Sequence, residues 1–329
     1  MARAKKRGNT ASGNMLSQVA SRADVSAGTV SRVFNNSKLI PAETRMRVIA
    51  AARALGFRPR IGVRRKQIAL ITEPPWKTVM GGYVNTLTQY ICYALSRVNA
   101  GITIITEDRI DDITDSWFDG IVGIAWESAT IGRLQKIKKI PIVWFSDNYA
   151  DSFHVIYPDA VATGRMAGEY LLEKGHTKIA VIHETDYTGT GRVNGLKKAM
   201  EKRGIDAARR CRTFPDTMPL HLSVKQLIDD GCTAVWVTGE DMNVLEVNWL
   251  IQELAGKRVP DDISLLGFEN PGISEFMRPS LTTIATPLKD MAEKAVEVVL
   301  QDNHESLVKI EMPVTIIERT SVKRLGSTK

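Results

Sequence analysis

From Ile68 onward the chain alternates apolar runs of strand length with stretches of helical periodicity, and that alternation constrains the fold more than any other feature. IALIT (68–72) precedes a helical stretch from Tyr83 to Val98, and ITIIT (102–106), GIVGIAW (120–126) and IPIVWF (140–145) follow. A second series has a helix from Ala160 to Lys174, KIAVIH (178–183), a helix from Arg192 to Arg203, AVWVT (234–238), a helix from Asn243 to Ala255, and ISLLGF (263–268). Near-continuous apolar strands separated by helices are what a parallel sheet covered on both faces requires. Two such series predict an α/β fold of two parallel-sheet lobes. The tail adds a helix from Pro287 to Leu300 and a strand near VTIIE (314–318).

The first 66 residues are of another kind. They carry 15 Lys and Arg against only Asp24 and Glu43, a net of +13, whereas residues 67–329 hold 29 Lys and Arg and 35 Asp and Glu, a net of −6. A solvated basic face would satisfy the charge alone. A polyanion partner suits it better, because each neutralised phosphate releases counterions. Residues 1–14, without apolar periodicity, read as a flexible basic arm. Leu16, Val19, Ala20 and Ala23 then recur at helical spacing, and a break falls at Asp24-Val25. Ser26 is placed to cap a second helix with Val30, Val33 and Phe34 on one face. A third helix runs from about Pro41 to Leu55, with Gly56 as its C-terminal stop and Phe57 after it. The predicted all-α unit spans 15–59, a basic connector 60–66 and the α/β domain 67–329. Its first lobe is expected over about 67–153 and 285–311, its second over about 154–284 and 312–322.

Helices at 15–23 and 26–34 have the make-up of a helix-turn-helix: Ala20 is small at the crossing, Val25, Val30 and Val33 fill it, and Ala27, Gly28, Thr29, Ser31 and Arg32 stay outside. The same spacing describes a plain helical hairpin, and the charge asymmetry decides between them. Arg32 can offer a bidentate fork to guanine, and Thr29 or Ser31 can meet bases or phosphates.

These residues carry a resemblance. MLSQVASRADVSAGTVSRVFNN (15–36) followed by PAETRMRVIAAARALGFRP (41–59) resembles the N-terminal domain of the lactose/galactose repressor family of bacterial transcription regulators. The likeness continues through AGEYLLEKGHTKIAVI (167–182), VPDDISLLGFEN (259–270), PSLTTI (279–284) and IERTSV (317–322). It implies a two-lobed domain of the type I periplasmic-binding-protein fold and a homodimer on a near-palindromic double-stranded DNA operator. It also implies control of transcription, as a repressor, by a small molecule, a sugar or sugar derivative, held between the lobes. By position, Ala27, Gly28 and Arg32 match the family's base-reading residues, and Leu16, Ser17, Ser26, Thr29, Ser31 and Asn35 its groove and backbone contacts. Arg192 and Glu269 stand where the family has its effector-binding arginine and aspartate. The sequence departs from the family at Gly239-Glu240, where Asn-Asp is usual, and at Pro158-Asp159, where Asp-Asn is usual. The family's connector forms a hinge helix that wedges a leucine into the minor groove. Here it is several residues shorter, with only Ile61 and Val63 among Arg60, Arg64, Arg65 and Lys66.

Ligands of two-lobed α/β proteins bind at strand C-termini. Effector candidates are therefore Glu73, Trp76 and Tyr83 after the first strand, Ser146 and Asp147 after IPIVWF, Asp186 and Arg192 after KIAVIH, Trp236 in AVWVT, and Glu269 after ISLLGF. Trp76 and Trp236 are equally compatible with core packing.

Other classes find less support. TGTGR (188–192) superficially suggests a phosphate-cradling loop, but no complete glycine fingerprint, phosphate loop or nucleophile elbow is present, so an enzyme and a catalytic residue are not expected. A solute-binding protein would share the lobes but would need an export signal, and MARAKKRGNT leads into no apolar segment. No apolar run approaches the roughly 18 residues of a membrane span. A cytoplasmic protein is expected, with no membrane contact. Cys92, Cys211 and Cys232 and five dispersed histidines give no metal-ligand spacing, and neither metal nor cofactor is expected.

Overall fold

The computed structural model describes residues 10–35, 39–57, 65–77, 82–114, 116–126, 128–137, 140–238, 241–301 and 306–326. The N-terminal unit consists of α1 (Thr10–Ala23), α2 (Ala27–Phe34) and α3 (Ala42–Leu55). Asp24, at φ 52°, turns the chain between the first two. Ser26 caps α2, its Oγ accepting from the Thr29 N–H at 3.1 Å. Gly56 closes α3 at φ 65°, a left-handed geometry that suits a residue without Cβ. Val19, Ala20, Ala23, Val30, Val33, Phe34, Val48, Ile49 and Ala52 are the buried side chains these helices share. The helix begins at Thr10, so the arm expected over 1–14 ends sooner. Once a helix is nucleated by its apolar turns, adding residues at its start costs little, and Thr, Ser and Asn are tolerated there. Residues 60–64 of the connector, 58–59 before them and 1–9 of the arm lie outside the described residues.

The first lobe is built from β1 (Gln67–Thr72), α4 (Tyr83–Arg97), β2 (Gly101–Thr106), a 3-10 segment (Glu107–Thr114), β3 (Gly120–Ile124), α5 (Ser128–Leu134), β4 (Ile142–Trp144) and β5 (His154–Tyr157). The second contains α6 (Ala160–Glu173), β6 (Ile179–His183), α7 (Tyr187–Lys202), α8 (Ala207–Arg210), β7 (Cys211–Pro215), α9 (Leu220–Asp229), β8 (Ala234–Val237), α10 (Asp241–Trp249) with a π-helical continuation (Leu250–Leu254), β9 (Ser264–Phe268) and β10 (Thr282–Ala285). The chain returns through α11 (Leu288–Leu300) and β11 (Lys309–Glu311) in the first lobe and ends on β12 (Thr315–Ile317) in the second.

The sheets run β11-β5-β4-β3-β1-β2 and β12-β10-β9-β8-β6-β7, parallel throughout except that β12 pairs antiparallel with β10. β5 is a first-lobe strand, its Val155 opposite Trp144 of β4 and Lys309 of β11, so the lobe boundary expected at 153/154 falls after Tyr157 instead. The crossings therefore lie between β5 and α6, between β10 and α11, and between β11 and β12. Each sheet is covered on both faces. Cys211 and Cys232 are buried thiols, pushed up to about 11 by desolvation, and Cys92 is half-buried.

α7 starts at Tyr187, so TGTGR is helix and not a loop. Gly191 and Gly195 of α7, with Gly164 of α6, serve contact between the two helices, whereas Gly189 lies against the Glu184 carbonyl. A Cβ on Gly195 would stand 2.0 Å from the Val161 carbonyl oxygen, and one on Gly164 would stand 1.9 Å from that of Arg192. Asp186 caps the helix, its Oδ1 accepting from the Gly189 N–H at 2.7 Å.

Candidate functional site: a DNA-reading helix and an interlobe cleft

Two surfaces bear on function. On α2 the apolar face is consumed by the three-helix core, which leaves Ala27, Gly28, Ser31 and Arg32 exposed on the opposite side, with Ser26 and Asn35 exposed at its ends. Thr29 is half-buried, and its hydroxyl also meets Ser26 Oγ, at 2.9 Å. Ser17 is exposed on α1, while Leu16 packs partly against the core. Among the exposed side chains of α2 itself, Arg32 has the reach and the fork for base edges. Ala27 and Gly28 present almost none.

The second surface is a cavity of about 210 Å³ between the lobes, at the C-terminal ends of both sets of strands. Glu73, Tyr83, Trp126, Phe145, Ser146, Asp147 and Tyr157 line it from the first lobe, and Glu184, Asp186, Arg192, Thr238, Phe268 and Glu269 from the second. Tyr187 Oη donates to Asp147 Oδ2 across the mouth at 3.2 Å. Arg192 is held from three sides: Nη1 donates to the Thr238 carbonyl at 2.8 Å, Glu184 Oε2 lies 3.8 Å from Nη1, and the guanidinium sits 4.4 Å from the centroid of the Phe268 ring. Burial pushes the Glu184 carboxyl above its ordinary range, with the Arg192 charge opposing that shift. Burial likewise raises the Tyr83 phenol, so it stays protonated and able to donate.

Tyr83, Ser146, Asp147, Arg192 and Glu269, expected from strand ends, all reach this cavity, as do Glu73 and Asp186. Glu269 does so with its carboxylate already engaged. Arg319 Nη1 and Nη2 donate to Oε2 and Oε1 at 2.8 and 2.9 Å, and the Thr283 hydroxyl also donates to Oε2. Two tryptophans do not line the cleft. Trp236 is fully buried, in the second-lobe core beside Phe268, because a central strand covered by helices on both faces has no open side. Trp76 is 76% exposed in the turn after β1, outside the cavity wall. Aromatic lining comes instead from Trp126, Phe145, Tyr157 and Phe268, each within two residues of a strand end. Trp126 and Phe145 were within reach of the strand-end rule, since they close GIVGIAW and IPIVWF. Tyr157 was hidden with β5.

A small three-helix unit with an exposed reading face, joined to two α/β lobes around a cleft lined by aromatic and charged side chains, defines a DNA-binding transcription regulator with an effector-binding domain. Residues 15–60 match the model for "Bacterial regulatory proteins, lacI family", and residues 169–322 that for "Periplasmic binding protein-like domain". The chain is 28% identical over 338 residues to the HTH-type transcriptional repressor PurR of Salmonella newport (strain SL254), covering 93% of this chain and 96% of the relative. PurR of Escherichia coli O1:K1 / APEC matches with the same identity and coverage. Among solved structures, the Lac repressor dimer bound to operator and the anti-inducer ONPF superposes with a TM-score of 0.67 at 21% identity, over 93% of this chain and 98% of that one. The transcriptional regulator CelR–cellobiose complex does so with a TM-score of 0.67 at 21% identity, over 93% and 99%. Along nearly its whole length the chain is thus similar to transcription regulators of the lactose/galactose repressor family.

No helix among the described residues is long and apolar enough to cross a membrane.

Proposed function

We propose that the protein represses transcription as a homodimer on a near-palindromic operator, with α2 of each subunit in one half-site and an uncharged saccharide in each interlobe cleft setting operator affinity. The observation that carries the DNA reading is the capped α2, whose outward face holds one long basic side chain, Arg32, beside the bare pair Ala27-Gly28. Arg32 accordingly supplies most of the base discrimination, and Leu16, Ser17, Ser26, Thr29, Ser31 and Asn35 serve groove and phosphate contacts. Dimerisation is supported by apolar side chains left exposed in both lobes, Tyr93, Val98 and Ile104 in the first and Trp249, Leu254 and Phe276 in the second.

The charge of the cleft bears on the effector. Glu73, Asp147, Glu184, Asp186 and Glu269 face it against Arg192, with Arg319 neutralising Glu269 from behind. That balance disfavours sugar phosphates and suits a polyol, oriented by Asp147 and Arg192 and packed on Tyr83, Trp126 and Phe268. Arg192 spans both a structural and a binding part. We assign the protein no catalytic chemistry: its relatives regulate transcription, and of the cleft carboxylates Asp186 caps α7 while Glu184 and Glu269 lie against Arg192 and Arg319.

Selection of bound duplexes from a random pool, repeated with a panel of neutral and phosphorylated sugars, tests the reading. The wild type is expected to recover a two-half-site palindrome and one neutral sugar that changes its affinity. Arg32→Ala should lose about 1–3 kcal/mol of discrimination at one position per half-site while keeping salt-dependent nonspecific binding. Undiminished selectivity in Arg32→Ala would overturn the assignment of that residue.

A further inference from the structure

The DNA-reading unit is joined to the first lobe by more than its connector. Trp117, which lies between the 3-10 segment and β3, is 6% exposed, and it is buried in the same cluster as Val19, Val30, Phe34, Val48 and Phe57 of the helix-turn-helix unit. Its ring meets Phe34 edge-on, with centroids 4.9 Å apart and planes at 78°, and Phe34 in turn packs on Phe57 at 5.6 Å. Phe34 is the last residue of α2. Two polar contacts fix the joint. Arg53 Nη2 of α3 donates to the Ile113 carbonyl at 3.3 Å, and Trp117 Nε1 donates to Asp119 Oδ1 at 3.3 Å. Asp119 Oδ2 accepts from the Gln67 N–H at 2.7 Å, where β1 starts directly after the connector.

The same segment reaches the effector cleft at its other end. Glu107 begins the 3-10 segment, is 4% exposed, and accepts on Oε1 from the N–H of Trp126 at 3.1 Å. Trp126 lines the cleft. Between these ends Ile110 and Ile113 are buried in the first-lobe core with Ile105, Ile121 and Leu134, so the segment moves with its lobe and not independently of it.

We propose that Glu107, the buried Ile110 and Ile113 and Trp117 form a direct mechanical link between the effector cleft and the reading helix, with Trp117 as the positioning residue for α2. A change at the cleft wall around Trp126 reaches Phe34 through Glu107, the buried Ile110–Ile113 stretch and Trp117, where the shortened connector offers no leucine-bearing hinge to do so. The inference rests on reading α2 as the DNA-contacting helix, and its test is independent of that.

Hydrogen exchange on the full chain, without DNA or sugar, measures the link. Glu107→Met removes the acceptor at similar volume, and it should raise exchange across α2 by at least about fivefold, the lower end of ordinary site-to-site coupling. Amides of β6 and β8 in the second lobe should not change. Trp117→Ala should do the same to α2, and the double variant should match Trp117→Ala alone, because the signal then has nothing to act through. Glu107→Gln, which keeps an acceptor oxygen, and Trp117→Phe, which keeps an edge-on ring, should restore wild-type protection. Altered exchange confined to 107–126, or additive effects in the double variant, overturns the proposal. Failure of the duplex selection would remove the DNA reading and leave this exchange result standing.

Discussion

Glu269 shows how one side chain can hold a site together without being free to bind in it. Its carboxylate faces the cleft, yet both oxygens accept from the Arg319 guanidinium, and the two side chains are only 15% and 17% exposed. Removing one partner of such a pair strands the other charge in a poorly solvated place, which costs more than the pair contributes when intact. Glu269→Ala should therefore lose about 3 kcal/mol of stability in urea unfolding. A loss under about 1 kcal/mol would mean that solvent reaches Arg319 well enough to replace the carboxylate. The sequence placed Glu269 at the cleft because strand ends converge there. It gave no sign of Arg319, fifty positions later on the returning chain, since pairings across a crossing depend on how the lobes close. Trp236 failed for a different reason: alternation along an apolar strand does not tell which face is open when both are covered.

At the scale of elements, long central strands and amphipathic helices were legible from periodicity, and short edge elements were not. β5, β7 and β11 have three to five residues and lie at or near sheet edges, where polar residues such as His154, Arg212 and Lys309 interrupt the apolar pattern. Missing β5 also displaced the lobe boundary. Glycines in TGTGR were misleading because glycine marks both loops and close helix contacts. Gly189 packs on the Glu184 carbonyl and Gly191 on α6, and the α6 contact recurs at Gly195, where it makes a prediction. Gly195→Ala would put its Cβ 2.0 Å from the Val161 carbonyl oxygen, a backbone atom that cannot swing aside. The two helices must separate, at a cost of about 1–3 kcal/mol. Gly132 of α5 has no atom within 4 Å of the position a Cβ would take. Gly132→Ala should then be neutral or gain up to about 1 kcal/mol from helix propensity. Thermal melting of the two variants checks the contrast, and similar Tm values would show that α6 and α7 are not locked at Gly195.

For the whole molecule, the division of charge and the joint at Trp117 bear on how an operator is held. A net of +13 in residues 1–66 attached to a −6 remainder directs the DNA to the N-terminal face and away from the lobes. In the family a hinge helix inserts leucine side chains at the operator centre. Unstacking a base step costs a few kcal/mol, which only an apolar wedge and the extra protein surface that a bent duplex wraps can offset. This connector has Ile61 and Val63 among four basic residues. At its end Lys66 is drawn back onto the first lobe, Nζ donating to the Leu300 carbonyl at 2.6 Å. With Phe34 and Arg53 held by Trp117 and Ile113 as well, the reading units approach the DNA from fixed positions on their lobes. We therefore expect a nearly straight operator. In a circular-permutation gel assay on the selected duplex, mobility should depend little on where the site lies in the fragment. A pronounced minimum with the site at the centre would show that Ile61 or Val63 acts as a wedge, and Ile61→Ala and Val63→Ala would then abolish the bend. If bending is absent, operator-centre substitutions should weaken binding far less than changes opposite Arg32, because no deformation energy is read there.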